Sequence, residues 1–411
     1  MTLDAAWAYF ALMIVVMGIA SLPAFRFVDN PQDSSTRYAS IDGLRGFLAL
    51  GVFVFHLVLT HRFIATGIWD VPESRFYALL GPVGVSLFFM ITGFLFWGKM
   101  LRAKGKPQWR ELYTGRLFRI APMYLFVVLA MLCIVFARTG FQLRESAGVV
   151  TKSVLQWLAL GAIDTQPDVN GYRATYVLAG VTWTIAYEWA FYISLLATAF
   201  FARGRVHGIF VAGMLALCLA GKVLLHIDAL GFATLFLSGM AVASLLHENI
   251  RLSVSQTVSS TLALACLATI FVTSHSGYGT LTAALLAVFF YLVCSGSALF
   301  GLLTTTSAQR LGNISYSLYL MQGLALTLVF AIAPLRTFAM TSPEKYWAVG
   351  MVCACALLLS AAAGYAIVER PGITLGKRCI RLRRTMADSP QHVADGDRAA
   401  RAHSQGSAIA P

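Results

Sequence analysis

Runs of about 17 to 24 apolar residues recur along the chain, each long enough to cross the hydrocarbon core of a bilayer as a helix. Eleven such runs lie near residues 5–25, 43–62, 76–98, 120–136, 184–202, 206–226, 229–247, 257–274, 278–295, 314–337 and 345–368. Backbone in lipid must satisfy its own hydrogen bonds, so the pattern predicts an all-α fold: a polytopic transmembrane helical bundle of about eleven spans. The stretch 148–162 is also apolar, but it is short and interrupted by Lys152 and Gln156, which predicts a helix lying at the interface.

Charge settles how such a bundle is oriented. Of the 411 residues 58% are hydrophobic and only 12% charged, and Lys and Arg outnumber Asp and Glu by 31 to 18. In a soluble chain that excess would raise the question of nucleic acid. Here the basic residues sit where spans end, so membrane lipids, and no nucleic acid, are the expected contacts. Between Lys99 and Arg119 lie Arg102, Lys104, Lys106, Arg110 and Arg116, opposed only by Glu111, a density that marks a cytoplasmic loop. Lys377, Arg378, Arg381, Arg383 and Arg384 mark the C-terminal segment in the same way. Counting spans outward puts the C-terminus in the cytoplasm, and 137–183 and the N-terminus outside, in a multi-pass protein of the cell inner (cytoplasmic) membrane.

Three regions follow. Residues 1–37 are expected to hold an additional, uncleaved span and a cytoplasmic linker, since the first run lacks the basic flank of a signal peptide. Residues 38–374 form the main membrane domain, and 375–411 a basic tail, disordered from 385 onward where apolar periodicity ends. No soluble catalytic domain is expected. Seven cysteines lie in apolar surroundings without metal-ligand spacing, so they read as small apolar fillers and no metal is expected.

Ionisable residues at membrane depth cost on the order of 2.5 to 3.5 kcal/mol each and therefore mark function. Arg45 and His56 are eleven positions apart in one run, which puts them on one helix face about 17 Å apart, with Asp42 one turn before Arg45. In the block from Trp183 to Tyr192, Glu188 lies more than a turn into a span entering from outside, which predicts a depth near that of His56. A carboxylate fixing an imidazole suits general base catalysis on a hydroxyl. Arg116 and Arg119 lie at the cytoplasmic mouth, level with Arg45, where several guanidinium groups suit the phosphates of a molecule such as coenzyme A. The same ionisable groups also suit a proton-coupled transporter, which stands as the rival reading.

The ordered motifs resemble the membrane acyltransferase 3 family, which includes O-antigen and exopolysaccharide O-acetyltransferases. The resemblance runs from about residue 38 to 372. Arg45 and His56 reproduce its Arg, ten residues, His signature, and Phe88-Phe89-Met90-Ile91-Thr92-Gly93-Phe94-Leu95 is similar to its Phe-Phe-x-x-Ser-Gly-Phe-Leu segment. Arg116, Arg119, Pro122 and Tyr124 follow its Arg-x-x-Arg-Ile-x-Pro-x-Tyr pattern, and Trp183 to Tyr192 its Trp-Ser-Leu-x-x-Glu-x-x-Phe-Tyr block. Gly312 to Leu320 and Val368-Glu369-Arg370-Pro371 are similar to its closing motifs. Thr92 and Thr184 stand where Ser is usual, and Gln322 where His is often found.

The resemblance implies a ten-span core, to which 5–25 is an addition, and transfer of an acyl group, usually acetyl, from cytoplasmic acyl-CoA to an extracytoplasmic sugar hydroxyl. Arg45, Arg116, Arg119 and Tyr124 are then expected to hold the donor, acetyl-CoA or another acyl-CoA. His56, Glu188 and Arg45 are expected to act in catalysis, and Trp183, Tyr187 and Tyr192 to contact the substrate. The acceptor is expected to be a saccharide or lipid-linked glycan docking near 137–183, where Tyr172, Arg173, Tyr176, Asp164, Asp168 and Asn170 lie. A non-sugar acceptor is the alternative.

Overall fold

The computed structural model describes residues 3–29, 38–163, 165–227, 229–383 and 385. Each of the eleven apolar runs holds a helix: α1 (Trp7–Ser21), α2 (Ala39–Thr66), α3 (Arg75–Arg102), α4 (Trp109–Arg138), then α7 (Trp183–Thr198), α8 (His207–Leu225), α9 (Ala229–His247), α10 (Gln256–Thr273), α11 (Thr280–Cys294), α13 (Ser315–Ala331) and α15 (Pro343–Gly364). Between them lie the short helices α5 (Ala147–Leu158), α6 (Ala174–Val177), α12 (Thr306–Asn313) and α14 (Ala333–Ala339). Among the described residues eight helices are long and apolar enough to cross a membrane, or nine if α12 and α13, bent by 70° at their junction, count as one broken span. The two helices that fall short, α1 and α11, have 15 residues each, about 22 Å of rise. The protein is thus a polytopic helical membrane bundle.

Small residues set how closely the helices approach, as expected where apolar faces gain little from leaving lipid. A Cβ on Gly93 of α3 would lie 2.1 Å from the Phe236 carbonyl oxygen, and one on Gly239 of α9 2.0 Å from that of Met90, so these helices touch backbone to backbone. Gly84 of α3 makes room for the Val52 side chain of α2, whose Cγ2 would lie 2.8 Å from an added Cβ. On the other side of α2, a Cβ on Gly312 would fall 1.9 Å from the Asp42 carbonyl oxygen, which seats α12 against the turn that carries Arg45. By contrast α8 and α10 leave most of their surface outside the fold, where lipid would cover it.

The additional N-terminal helix packs its apolar face on this frame, and one side chain caps its end. Arg310 of α12, 4% exposed, pairs with Asp29 through Nε–Oδ1 at 2.8 Å and Nη2–Oδ2 at 3.1 Å. Its Nη1 donates to the carbonyls of Ala20, Ser21 and Leu22 at 3.0, 3.1 and 2.8 Å, capping the C-terminus of α1, whose last carbonyls have no helical donor.

At its far end α15 widens into a π turn over Tyr365–Glu369 and then continues as helix to 383. Pro371 has no N–H to offer the Ile367 carbonyl, which accounts for the irregularity just before it. The basic segment read as the start of a tail is therefore helical over 375–383; Arg384 and the expected disordered stretch lie outside the described residues except Thr385.

Candidate active site

Two cavities open on opposite ends of the same three helices. The first lies at the end that carries the basic 99–119 segment, with a volume of about 230 Å³. Arg45 enters it from the second turn of α2, Arg116 and Arg119 from α4, Glu188 and Tyr192 from α7, and Tyr316 and Tyr319 from α13; Phe88 and Phe96 of α3 supply its apolar wall. The Arg45 guanidinium lies 3.6 Å from Asp42. The Arg116 guanidinium stacks over the Phe96 ring at 4.9 Å and faces Tyr192 and Glu188. The Tyr192 hydroxyl donates to Glu188 Oε2 at 2.8 Å, fixing the carboxylate between its own helix and the arginines. Three guanidinium groups and one carboxylate line the cavity itself, with Asp42 and Glu369 beside Arg45 and Arg119 from outside the lining, so the cavity wall presents guanidinium forks suited to an anion.

A second carboxylate stands behind this lining. Glu369 is fully buried; its Oε2 accepts from the Ser317 hydroxyl at 2.7 Å, and its Oε1 lies 3.9 Å from Arg119 Nη2. The π turn that ends at Glu369 rotates this residue toward α4 and α13. Sequence reasoning placed it in a closing motif without giving it a task, although an acid followed by Arg-Pro at the end of an apolar run was the available signal.

His56 sits about three turns further along α2 than Arg45. Its Nδ1 is 3.0 Å from the Val52 carbonyl oxygen and 3.3 Å from Gln322 Oε1. The amide of Gln322 is oriented by its other end, because Nε2 donates to the Tyr319 carbonyl at 2.8 Å. Both neighbours of Nδ1 are therefore acceptors, so Nδ1 carries the proton of the neutral ring and Nε2 is left with its lone pair. Among the described residues Nε2 has no hydrogen-bond partner. An imidazole held in that tautomer is ready to remove a proton from a hydroxyl brought to Nε2.

The second cavity, about 570 Å³, occupies the opposite end of the bundle. Thr60 and Phe63 of α2, Arg138 at the end of α4, and Leu326 and Thr327 of α13 line it, together with Trp69, Tyr172, Arg173 and Tyr176. The rings of Trp69 and Tyr176 stack 4.9 Å apart at 14°. Thr60 is the residue one turn beyond His56 and donates to the His56 carbonyl at 2.7 Å. Along α13, Tyr319 lines the first cavity, Gln322 holds His56, and Leu326 and Thr327 line the second. His56 and Gln322 thus stand in the neck between the two, which spans roughly 10 Å of helix rise.

Several expected placements differ. Glu188 does not pair with His56; it joins the arginines of the first cavity, and Gln322 takes the position beside the imidazole. The reason is that α7 does not begin at the surface. Leu178, Ala179, Val181 and Thr182 are already buried, and the turn at Ala179 and Gly180, with φ of 52° and 69°, presses against α13 where Gly323 has no Cβ to obstruct Leu178. The chain therefore enters the bundle before its helix starts, and Glu188 ends up deeper than a count from the first helical residue gives.

Tyr124 is buried away from both cavities, and its hydroxyl donates to the Trp157 carbonyl at 2.9 Å, tying α4 to the end of α5. Trp183 and Tyr187 also line neither cavity: they pack edge-on or tilted against Phe89 and Phe232, fastening α7 to α3 and α9. Tyr192 does reach the first cavity. In the loop expected to meet an acceptor, Tyr172, Arg173 and Tyr176 line the second cavity, whereas Asn170 is a structural anchor, accepting from the Arg144 N–H and donating to Thr139 and Gln142. Asp164 lies outside the described residues.

A family model described as an acyltransferase domain, Acyl_transf_3, matches residues 38–367, most of the chain and all of the helices that build the two cavities. No curated protein and no solved structure matches the chain. With the helical membrane bundle and the ordered Arg45, His56, Arg116 and Arg119 positions, that match carries the assignment: this chain belongs to the membrane acyltransferase 3 family.

Proposed function

We propose that this membrane acyltransferase moves an acetyl-class acyl group from cytoplasmic acyl-CoA to a hydroxyl of an extracytoplasmic saccharide, such as an O-antigen or exopolysaccharide unit, across the neck at His56. The observation that carries this reading is the placement of a single imidazole, with Nε2 unprotonated, between cavities that open at opposite ends of α2, α4 and α13. In this reading the basic end of the bundle faces the cytoplasm of the inner membrane. Arg45, Arg116 and Arg119 draw in the donor's phosphates. The first cavity is too small for a whole coenzyme A thioester, so it receives the acyl end and its arm. The nucleotide end lies against an adjoining cavity that shares Leu95 and is lined by Tyr38, Arg102, His247 and Arg251.

The acceptor hydroxyl approaches from the second cavity. His56 Nε2 takes its proton as the oxygen attacks the thioester carbonyl carbon; the tetrahedral intermediate then expels the thiolate of coenzyme A. The imidazolium returns its proton to that sulfur, leaving a new ester and free coenzyme A. Gln322 and Val52 hold Nδ1–H throughout and keep the ring oriented while it is charged.

The test is acyl incorporation into the host's extractable polysaccharide, comparing cells that carry the native chain, His56→Ala, Arg45→Ala or an empty vector at matched membrane abundance. Sugar esters that depend on the native chain and disappear in both variants are the expected result. Unchanged ester content throughout would overturn the saccharide reading in that host.

A further inference from the structure

We infer that the second cavity is built for an anionic saccharide, one bearing a carboxylate or phosphate oxyanion near the hydroxyl to be acylated. As an account of the acceptor this rests on the acyl-transfer reading above; as an account of binding it stands on the cavity alone. Three arginines from three separate parts of the chain converge there: Arg138 from the end of α4, Arg173 from the loop before α6, and Arg336 from α14. Among the described residues that line the cavity there is no Asp or Glu.

Topology does not account for these cations. Arginine near span ends is ordinarily retained on the cytoplasmic side, where it directs insertion, and this cavity lies at the other end. At that end Arg62 and Arg75 are answered by acids or carbonyls. Arg62 sits 3.6 Å from Asp70 and 3.4 Å from Glu73, and Arg75 donates to the Val272 carbonyl. Arg138 and Arg336 have no such partner among the described residues. Arg173 is oriented by Tyr176, stacking over its ring at 5.4 Å and donating to its hydroxyl at 3.0 Å, so its fork is held at the cavity wall.

The remaining wall suits the rest of such a ligand. The stacked pair of Trp69 and Tyr176 offers an aromatic face of the kind on which a sugar's C–H side packs, and Thr60 lies one turn from His56. A saccharide that stacks on Trp69 and engages guanidinium forks through its oxyanion would be held in one orientation, with a ring hydroxyl directed toward the neck. Arginine forks do not distinguish an acidic sugar's carboxylate from the diphosphate of a lipid-linked carrier, so both sources share this chemistry.

The experiment uses the full chain in lipid nanodiscs and measures binding of three probes: an oligogalacturonate, the same oligomer with its carboxyls reduced to alcohols, and a polyprenyl-diphosphate-linked monosaccharide. The native protein is expected to bind at least one anionic probe tenfold or more tighter than the reduced oligomer, with affinity falling as salt rises. Arg138→Gln with Arg336→Gln should remove that preference, Arg138→Lys with Arg336→Lys should retain part of it, and Arg75→Gln should leave it intact. Preference for the oligogalacturonate assigns the oxyanion to the sugar, and preference for the third probe assigns it to the carrier. Equal binding of all three, or a preference that survives the double Gln variant in a well-folded sample, overturns the inference. If an anionic probe binds as expected but gains no ester when acetyl-CoA is added, the cavity's chemistry stands and the acyl-transfer reading fails.

Discussion

His56 Nδ1 and Gln322 Oε1 lie 3.3 Å apart, and the amide that makes this contact is itself pinned by the Tyr319 carbonyl at 2.8 Å. A residue contributed by α13 therefore joins the Val52 carbonyl in fixing the orientation and tautomer of an α2 imidazole. Gln322→Leu removes the acceptor and leaves Val52 as the only hold on Nδ1, so the ring is free to turn. We expect the turnover number to fall roughly 10- to 100-fold, with the KM for the acyl donor little changed, since misplacing a catalytic group by about 1 Å costs on that order. Gln322→Glu, which keeps the acceptor oxygen, should restore part of the rate. Steady-state kinetics in nanodiscs check both, and a loss confined to KM would contradict a positioning role.

Glu369→Ala should lower stability by about 1 to 3 kcal/mol, because it deletes the carboxylate that accepts from Ser317 and leaves that buried hydroxyl without a partner. It also removes the charge behind Arg119, so donor affinity should change as well. Thermal unfolding in detergent reads the first effect and acyl-CoA binding the second. Glu369→Gln, which keeps an acceptor for Ser317, should recover most of the stability but not the donor affinity.

Gly323→Ala places a Cβ 2.2 Å from the Leu178 carbonyl carbon, where the obstruction is backbone and has no rotamer to adopt. The inserted turn must retreat, carrying the start of α7 with it. A cost of about 1 to 3 kcal/mol and reduced activity are expected, seen as a lower unfolding temperature. Gly18→Ala is the control: nothing lies within 4 Å of its Cβ, and a helical glycine replaced by alanine should be neutral or stabilising by up to about 1 kcal/mol.

Arg310→Ala leaves the carbonyls of Ala20 and Ser21 without their Arg310 donor and Asp29 without its partner, while the Leu22 carbonyl keeps the Phe25 N–H. We expect a loss of about 2 to 4 kcal/mol from the unsatisfied carbonyls, and faster protease cleavage between α1 and α2 while the remaining helices stay protected. Cleavage patterns identical to the native protein's would show that α1 is held by its apolar packing alone.

Much of this architecture is legible in the amino-acid sequence. Span length and loop charge located the helices, because a bilayer imposes one length and one sign of charge per side. The Arg45, Arg116 and Arg119 cluster was legible for the same reason, since all three lie a few turns from one recognisable basic loop. The position of Glu188 was not, because its depth depends on where the chain enters the bundle, and that was set by the absent Cβ of a glycine on a different helix. Nor were the roles of Gln322 and Glu369 visible. Each acts through a side chain far away in sequence, and a neutral amide or a single acid near a helix end announces no task by spacing alone. The aromatic residues of the Trp183 block misled for a related reason: rings suited to holding a ligand are equally suited to fastening helices, and Trp183 and Tyr187 are used for the latter.

The short neck between the cavities has an electrical consequence. Where water enters a membrane protein from both sides, the transmembrane voltage is not spread over the full thickness of the bilayer but falls mainly across the dry part that remains. In the proposed orientation that part is the stretch between Tyr319 and Leu326, roughly 10 Å of rise, and His56 stands inside it. A unit charge carried right through that stretch would cross most of the drop, worth about 2.3 kcal/mol per 100 mV. The proposed transfer would move no net charge across this neck, because the acyl group passes one way as the hydroxyl's proton passes the other; only the transient imidazolium at His56 would stand in the field, so the overall rate should depend little on the sign of the voltage.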